Sequence, residues 1–194
     1  MVIPGFIASD WTTTELRRAL GEGGFRVHPW QQGINWGARP DTMETLKRAL
    51  ELCGHGEPVV LVGWSLGGLY ARELARAEPK RVRAVVTLGT PVWGDRRRHT
   101  NVWKLYEWIA GHPVDRPPIA ESPEKPPVPT LAIWSRRDGI VGVPSAKGTE
   151  ETRDAEAEVS STHMGFAVSK RGTRAAVAEI VRFLKEIEAS ESLH

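Results

Sequence analysis

Residues 63–67 read Gly-Trp-Ser-Leu-Gly. A serine flanked in this way by glycines is a candidate nucleophile where the chain turns sharply enough to push its hydroxyl into the open. A serine hydroxyl is a weak nucleophile at neutral pH. It needs a histidine to take its proton and a carboxylate to orient that histidine. Two later segments offer these groups. Asp138 lies in Ser135-Arg136-Arg137-Asp138-Gly139, and His163 lies in Ser160-Ser161-Thr162-His163-Met164-Gly165. Each follows polar residues and has a glycine one or two positions on, as loop residues do. The chemistry such a set supports is acyl transfer through Ser65. The plainer readings are a turn aspartate that caps its own backbone and a surface histidine.

These residues need elements to hold them. The apolar run 59–62 reads as a buried strand and residues 66–77 as a helix, so Ser65 sits at a strand–turn–helix junction. A Cβ at Gly63 or Gly67 would collide where strand and helix approach. Val82 to Leu88 is a further apolar strand, residues 128–134 another, and Val159 ends a last one. Asp138 and His163 follow the last two. Upstream, Val2 and Ile3 form a strand stub that ends at Pro4-Gly5. Asp10 or Thr12 caps a helix through Leu20, and residues 25–28 read as a second strand. Asp41 and Glu44 form a capping-box pattern for a helix to Cys53. Residues 173–187 make a final helix with Ala176, Ile180, Phe183, Leu184 and Ile187 on its apolar side. Strands that alternate with helices and carry continuous apolar runs predict an α/β fold, a three-layer sandwich around a mostly parallel central sheet.

Residues 91–128 interrupt this rhythm. Seven of the fourteen prolines lie between Pro113 and Pro129, and proline cannot donate to a sheet ladder. The segment reads as a short proline-rich flap inserted into one domain spanning residues 1–194. Inside it, Val102, Leu105, Tyr106 and Ile109 have helical spacing. The prolines after them offer few backbone hydrogen bonds to hold the helix rigidly.

Composition narrows the function classes. Hydrophobic residues at 40% and charged residues at 26% suit a folded globular chain and exclude disorder. A net charge of +2 gives no basis for nucleic-acid binding. The longest basic run, Arg96-Arg97-Arg98-His99, reads as a solvated surface loop. Cys53 is the sole cysteine, so no intrachain disulfide is expected, and it ends an apolar helical stripe, where burial is expected. No metal cluster or phosphate loop is evident, and the proposed chemistry needs no cofactor. No run approaches the ~18 apolar residues of a membrane span. No signal peptide is evident either, and the expected location is cytoplasmic, with secretion the alternative if a leader is missing from this sequence.

With these residues in place, the chain resembles the lipase and esterase branch of the α/β-hydrolase superfamily. The likeness rests on Pro4-Gly5-Phe6, Gly63-Trp64-Ser65-Leu66-Gly67-Gly68, Leu88-Gly89-Thr90-Pro91, Asp138-Gly139-Ile140-Val141 and His163-Met164-Gly165. Its length is similar to that of small bacterial lipases with little or no lid. Many relatives carry His-Gly where this chain has Pro4-Gly5. The resemblance implies the chain order Ser, acid, His, which fits Ser65, Asp138 and His163. The same order sets aside His28, His55, His99 and His112, which precede Asp138. Asp95 and Asp115 lie in the irregular segment and His194 at the terminus. The resemblance also implies an oxyanion hole. One donor is the backbone N–H of Leu66, at the positive end of the helix over residues 66–77. The other comes from the turn after the first strand, where Phe6 is the choice and Ile7 the alternative.

Around this centre the resemblance places an aromatic substrate pocket. Trp64, Trp93, Trp103 and Ile140 are its candidate residues, with Trp30 and Trp36 on nearby loops; ordinary packing is the competing reading. Small-molecule esters are the expected substrates, with hydrolysis through an acyl-serine. An acyltransferase or thioesterase with the same triad is the alternative. A non-catalytic ligand-binding relative is a third reading, disfavoured because all three triad residues are present.

Overall fold

A computed structural model describes residues 1–95, 98, 100–101, 103–113, 115–119 and 122–192. Arg96, Arg97 and His99 of the basic run, Val102 of the amphipathic stripe and the terminal His194 lie outside the described residues. Five strands, β1 (Val2–Ile3), β2 (Val59–Trp64), β3 (Val82–Leu88), β4 (Thr130–Trp134) and β5 (Ala155–Glu158), form one sheet in sequence order. Every pairing is parallel. The register lines up Val2, Val62, Val86, Leu131 and Ala155 across the sheet.

Successive residues of a strand point to opposite faces, and both faces are covered. Ile3, Leu61 and Val85 pack with α2 (Thr42–Gly54) and α3 (Leu66–Ala77). Val2, Val62, Val86 and Leu131 pack with α1 (Thr14–Glu22) and with two helices near the C-terminus. In chain order the remaining helices are α4 (Trp103–Ala110), α5 (Val143–Lys147), α6 (Gly165–Val168) and α7 (Lys170–Glu191). The sheet between helical layers is the three-layer α/β sandwich expected, and double coverage explains the unbroken apolar runs.

Several local expectations change. Residues 25–28 form no strand. Val2 N–H donates to His28 O at 2.9 Å, but a two-residue β1 gives that segment too little edge to extend a ladder. The first helix starts at Thr14, because the Asp10 carboxylate instead accepts the N–H groups of Trp30 and Gln31, each at 3.0 Å. Asp41 does precede α2, yet its side chain makes no capping bond; Thr42 Oγ1 accepts the Arg39 N–H there at 2.9 Å. Cys53 is half-buried rather than buried. In α4 the inward residues are Tyr106, Trp103 and Ala110, whereas Leu105 and Trp108 face outward, Trp108 at 80% exposure.

The proline-rich segment is held at its ends by side chains and by a few backbone bonds, among them Lys125 N–H to Glu151 O at 2.9 Å. Arg72, on α3 and buried, donates to Thr152 O at 2.7 Å, Glu124 O at 2.7 Å and Pro123 O at 3.1 Å. Arg76, one turn on, donates to Ser122 O at 3.1 Å and also to Glu124 O. Burial, and then the neighbouring Arg76 cation, lower the Arg72 guanidinium to a pKa of about 10, so it stays charged at neutral pH. At the other end of the segment, Thr100 bridges to Val141, and Asn101 donates to Ile140 O at 3.0 Å and Gly139 O at 2.8 Å.

Candidate active site

The turn between β2 and α3 forces Ser65 to φ 55° and ψ −122°, a left-handed conformation that non-glycine residues rarely adopt. The surroundings hold it there. Ser65 N–H donates to Leu88 O at 2.9 Å. Ser65 O accepts the Thr90 hydroxyl at 2.9 Å and the Gly68 N–H at 3.0 Å. Gly63 and Gly67 are needed for the reason the spacing suggested. A Cβ on Gly63 would strike the Gly67 backbone, and one on Gly67 would strike Ile3 O.

Asp138 and His163, 25 residues apart in sequence, meet at the carboxyl end of β4 and β5. His163 Nδ1 lies 2.8 Å from Asp138 Oδ2 and 3.1 Å from Oδ1. The Asp138 side chain is fully buried, and His163 is only 7% exposed. Asp138 Oδ1 also accepts the N–H groups of Ile140 and Val141, each at 2.9 Å. The carboxylate is thus fixed by its own turn before it reaches the imidazole. Trp64 Nε1–H donates to His163 O at 3.0 Å, and its ring lies 5.6 Å from the imidazole. Ser135 ties the two loops together: its hydroxyl oxygen accepts Arg137 N–H at 3.0 Å and Ser161 N–H at 3.2 Å. Gly89, which follows the Leu88 carbonyl bonded to Ser65, has φ 53°, and a Cβ on it would sit 2.7 Å from Asp138 Oδ2 and 3.2 Å from His163 Nδ1. The serine turn and the acid–imidazole pair therefore share one edge of the sheet.

The turn after β1 runs beside the serine. A Cβ on Gly5 would lie 3.1 Å from Ser65 Cβ. In that turn Ile7 N–H is committed to Asn35 O at 2.8 Å and Ala8 N–H to Gly5 O at 3.2 Å. Among the described residues, the N–H groups of Phe6 and Leu66 carry no hydrogen bond. Of the two amides weighed in that turn, the one of Ile7 is thus already bonded and the one of Phe6 is not.

The four pocket candidates occupy different places. Trp64 is buried under the His163 loop. Trp93 is exposed, and its carbonyl accepts the Ser145 hydroxyl at 2.6 Å. Trp103 is half-buried in the cluster that also contains Phe6 and Tyr106. Ile140 packs with Trp134, Val141 and Ala146 in the Asp138 loop. Tyr106, which helical spacing alone marks in the sequence, joins this cluster with its ring 4.9 Å from that of Phe6. Asp95 and Asp115 are exposed. A cavity of about 560 Å³ opens at the amino ends of β1 and β2, lined by Met1, Phe25, Cys53 and Val59 among others, and none of the candidate residues borders it. Among the described residues no cluster of histidine, cysteine and carboxylate side chains has metal-binding geometry, and no helix is long and apolar enough to cross a membrane.

The fold is similar to that of several solved enzymes. Polyneuridine aldehyde esterase superposes with a TM-score of 0.64 at 15% identity, covering 93% of this chain and 97% of that one. A monoacylglycerol lipase from Paleococcus ferrophilus gives 0.59 at 14% identity, covering 94% and 93%. A thermophilic esterase from Thermogutta terrifontis gives 0.60 at 18% identity, covering 96% and 89%. No curated protein sequence matches significantly. Residues 1–184 match the alpha/beta hydrolase family as a whole. The strained serine turn, the buried Asp138–His163 pair and that match lead to one conclusion: the chain belongs to the alpha/beta hydrolase family.

Proposed function

We propose that the chain is a serine carboxylester hydrolase. The observation that carries this reading is the strained Ser65 turn on the same sheet edge as the buried His163–Asp138 pair. With Nδ1–H donated to Asp138, the imidazole keeps the tautomer in which Nε2 is free to accept a proton. Ser65 Oγ attacks the ester carbonyl while His163 takes its proton. The carbonyl oxygen becomes an oxyanion that the N–H groups of Phe6 and Leu66 receive, the second aided by the α3 dipole. The tetrahedral centre collapses as His163 returns the proton to the departing alcohol. Water then attacks the acyl-serine with His163 again as base, releasing the acid and restoring Ser65. Phe6, Trp103 and Tyr106 form an apolar wall for the acyl chain.

The test is a panel of chromogenic esters from acetyl to palmitoyl, run with a serine-reactive fluorophosphonate. Ester turnover and labelling at Ser65 are expected, and Ser65→Ala should lose on the order of 10⁶ in turnover. A folded parent that neither turns over any ester nor takes the label at Ser65 would remove this reading.

A further inference from the structure

We infer that Asn35 is the positioning residue of the oxyanion-binding turn, holding residues 4–8 so that the Phe6 amide is the one left free beside Ser65. The inference rests on the ester-hydrolase reading and names a part of that site which no sequence motif marks. Asn35 is only 2% exposed and uses both its backbone and its side chain. Its N–H donates to Ala8 O at 2.8 Å, and its carbonyl accepts Ile7 N–H at 2.8 Å. Its Nδ2 donates to Pro4 O at 2.9 Å. Its Oδ1 accepts Gly37 N–H at 3.2 Å and the Tyr70 hydroxyl at 3.4 Å.

The turn cannot hold this shape alone. Its one internal backbone bond runs from Ala8 N–H to Gly5 O at 3.2 Å, and Ile7 sits at φ 57°. A β-branched residue in that region is strained and persists only where its surroundings over-determine it. Asn35 supplies those surroundings by gripping the turn at Pro4, Ile7 and Ala8. The backbone carbonyl at position 35 takes the Ile7 N–H and so leaves the Phe6 amide for the oxyanion, while the Asn35 side chain, through Pro4 O and Gly37 N–H, holds the two backbones in the register that lets this bond form. Through Tyr70 it also touches α3 one turn beyond Leu66, the helix that carries the other proposed donor. One buried amide therefore fixes the two halves of the hole relative to each other. An oxyanion hole acts through donors set in place before charge develops, so a small displacement of the turn costs turnover rather than binding.

The experiment compares the parent with Asn35→Ala and Asn35→Asp, the second of which keeps the volume and the Oδ1 acceptor but removes the donor to Pro4 O. Steady-state hydrolysis of a short-chain chromogenic ester is measured well below each melting temperature, beside fluorophosphonate labelling of the parent. The loss of one oxyanion donor predicts a fall in kcat on the order of 10²-fold, with KM within about threefold of the parent. A part that served stability alone would lower the melting temperature and leave kcat unchanged. A folded variant with kcat within about threefold of the parent overturns the inference. Should Asn35→Ala not fold, Asn35→Asp carries the same expectation and the same refutation. If the folded parent neither hydrolyses the ester nor takes the label at Ser65, the functional reading itself fails, and that result is distinct from an active Asn35 variant.

Discussion

Replacing Asp138 by asparagine separates catalysis from stability in a way the geometry dictates. Asp138 Oδ1 accepts two backbone N–H groups, from Ile140 and Val141, and either oxygen reaches His163 Nδ1. An asparagine has one oxygen and one NH₂. With two fixed donors on one side, the oxygen stays with the turn and the NH₂ faces the imidazole. His163 must then accept at Nδ1 and carry its proton on Nε2, the tautomer that cannot take a proton from Ser65. In serine-protease triads such a switch costs on the order of 10⁴ in kcat, or about 5.5 kcal/mol of transition-state stabilisation. Both turn bonds survive, so the melting temperature should move little. Asp138→Ala differs. It orphans the Ile140 and Val141 N–H groups in a buried site, at about 1–3 kcal/mol each, for a total of about 2–6 kcal/mol. At about 2–4 °C per kcal/mol for a chain of this size, melting should drop by several degrees at the least. The assays are ester turnover and thermal unfolding on both variants. Asp138→Asn with activity within about tenfold of the parent, or with a melting shift equal to that of Asp138→Ala, would refute the reasoning.

Three further outcomes are expected. Gly89→Ala forces a Cβ to 2.7 Å from Asp138 Oδ2 at a φ of 53°, so it should cost about 1–2 kcal/mol in backbone strain and lower kcat by displacing the carboxylate; unchanged turnover would show that the pair tolerates the displacement. Trp103→Ala should weaken long acyl esters more than acetyl esters, because an apolar wall gains ~0.8 kcal/mol per buried methylene, whereas Trp108→Ala, on the outward face, should change neither selectivity nor stability by more than about 0.5 kcal/mol; a chain-length panel on both variants decides. Burial opposes ionisation of Glu156, but the Trp134 indole and Lys147 outweigh it and hold its carboxyl below the ordinary 4.5. A carboxyl lowered on folding stabilises the native state above its unfolded pKa, and that contribution is lost as pH falls through the lowered value. Urea unfolding of Glu156→Gln should therefore show a shallower loss of stability than the parent below about pH 4.5, and identical acid limbs would count against the bond.

The central strands were legible because burial on both faces leaves runs such as Val82–Leu88 with no polar break. The Ser65 turn was legible because only glycines fit at 63 and 67. Asp138 and His163 stood out because each follows a strand with a glycine one or two residues on, although nothing in a linear chain measures the 2.8 Å between them. Asn35 and Ser135 left no such trace. Their work is done by hydrogen bonds to backbone atoms of distant loops, which impose no periodicity and no spacing. Arg72 misleads in the opposite sense: within α3 it reads as a solvated cation, yet it is buried with carbonyl partners. Residues 25–28 have strand composition and lack only a long enough neighbour.

The two arginines of α3 give the proline-rich segment an architecture of separate moorings. Its entry is fastened at Asn101 to the Asp138 loop, and its exit at residues 122–124 to α3. Between them lies a turn in which Arg116 N–H bonds back to Pro113 O, with Asp115 and Arg116 exposed. Lengthening a surface loop costs little, roughly 0.6 kcal/mol for each doubling, when both ends stay anchored. That turn is therefore a natural graft point, where a longer module can be spliced in while the Ser65 turn, the Asp138 loop and the sheet remain as they are.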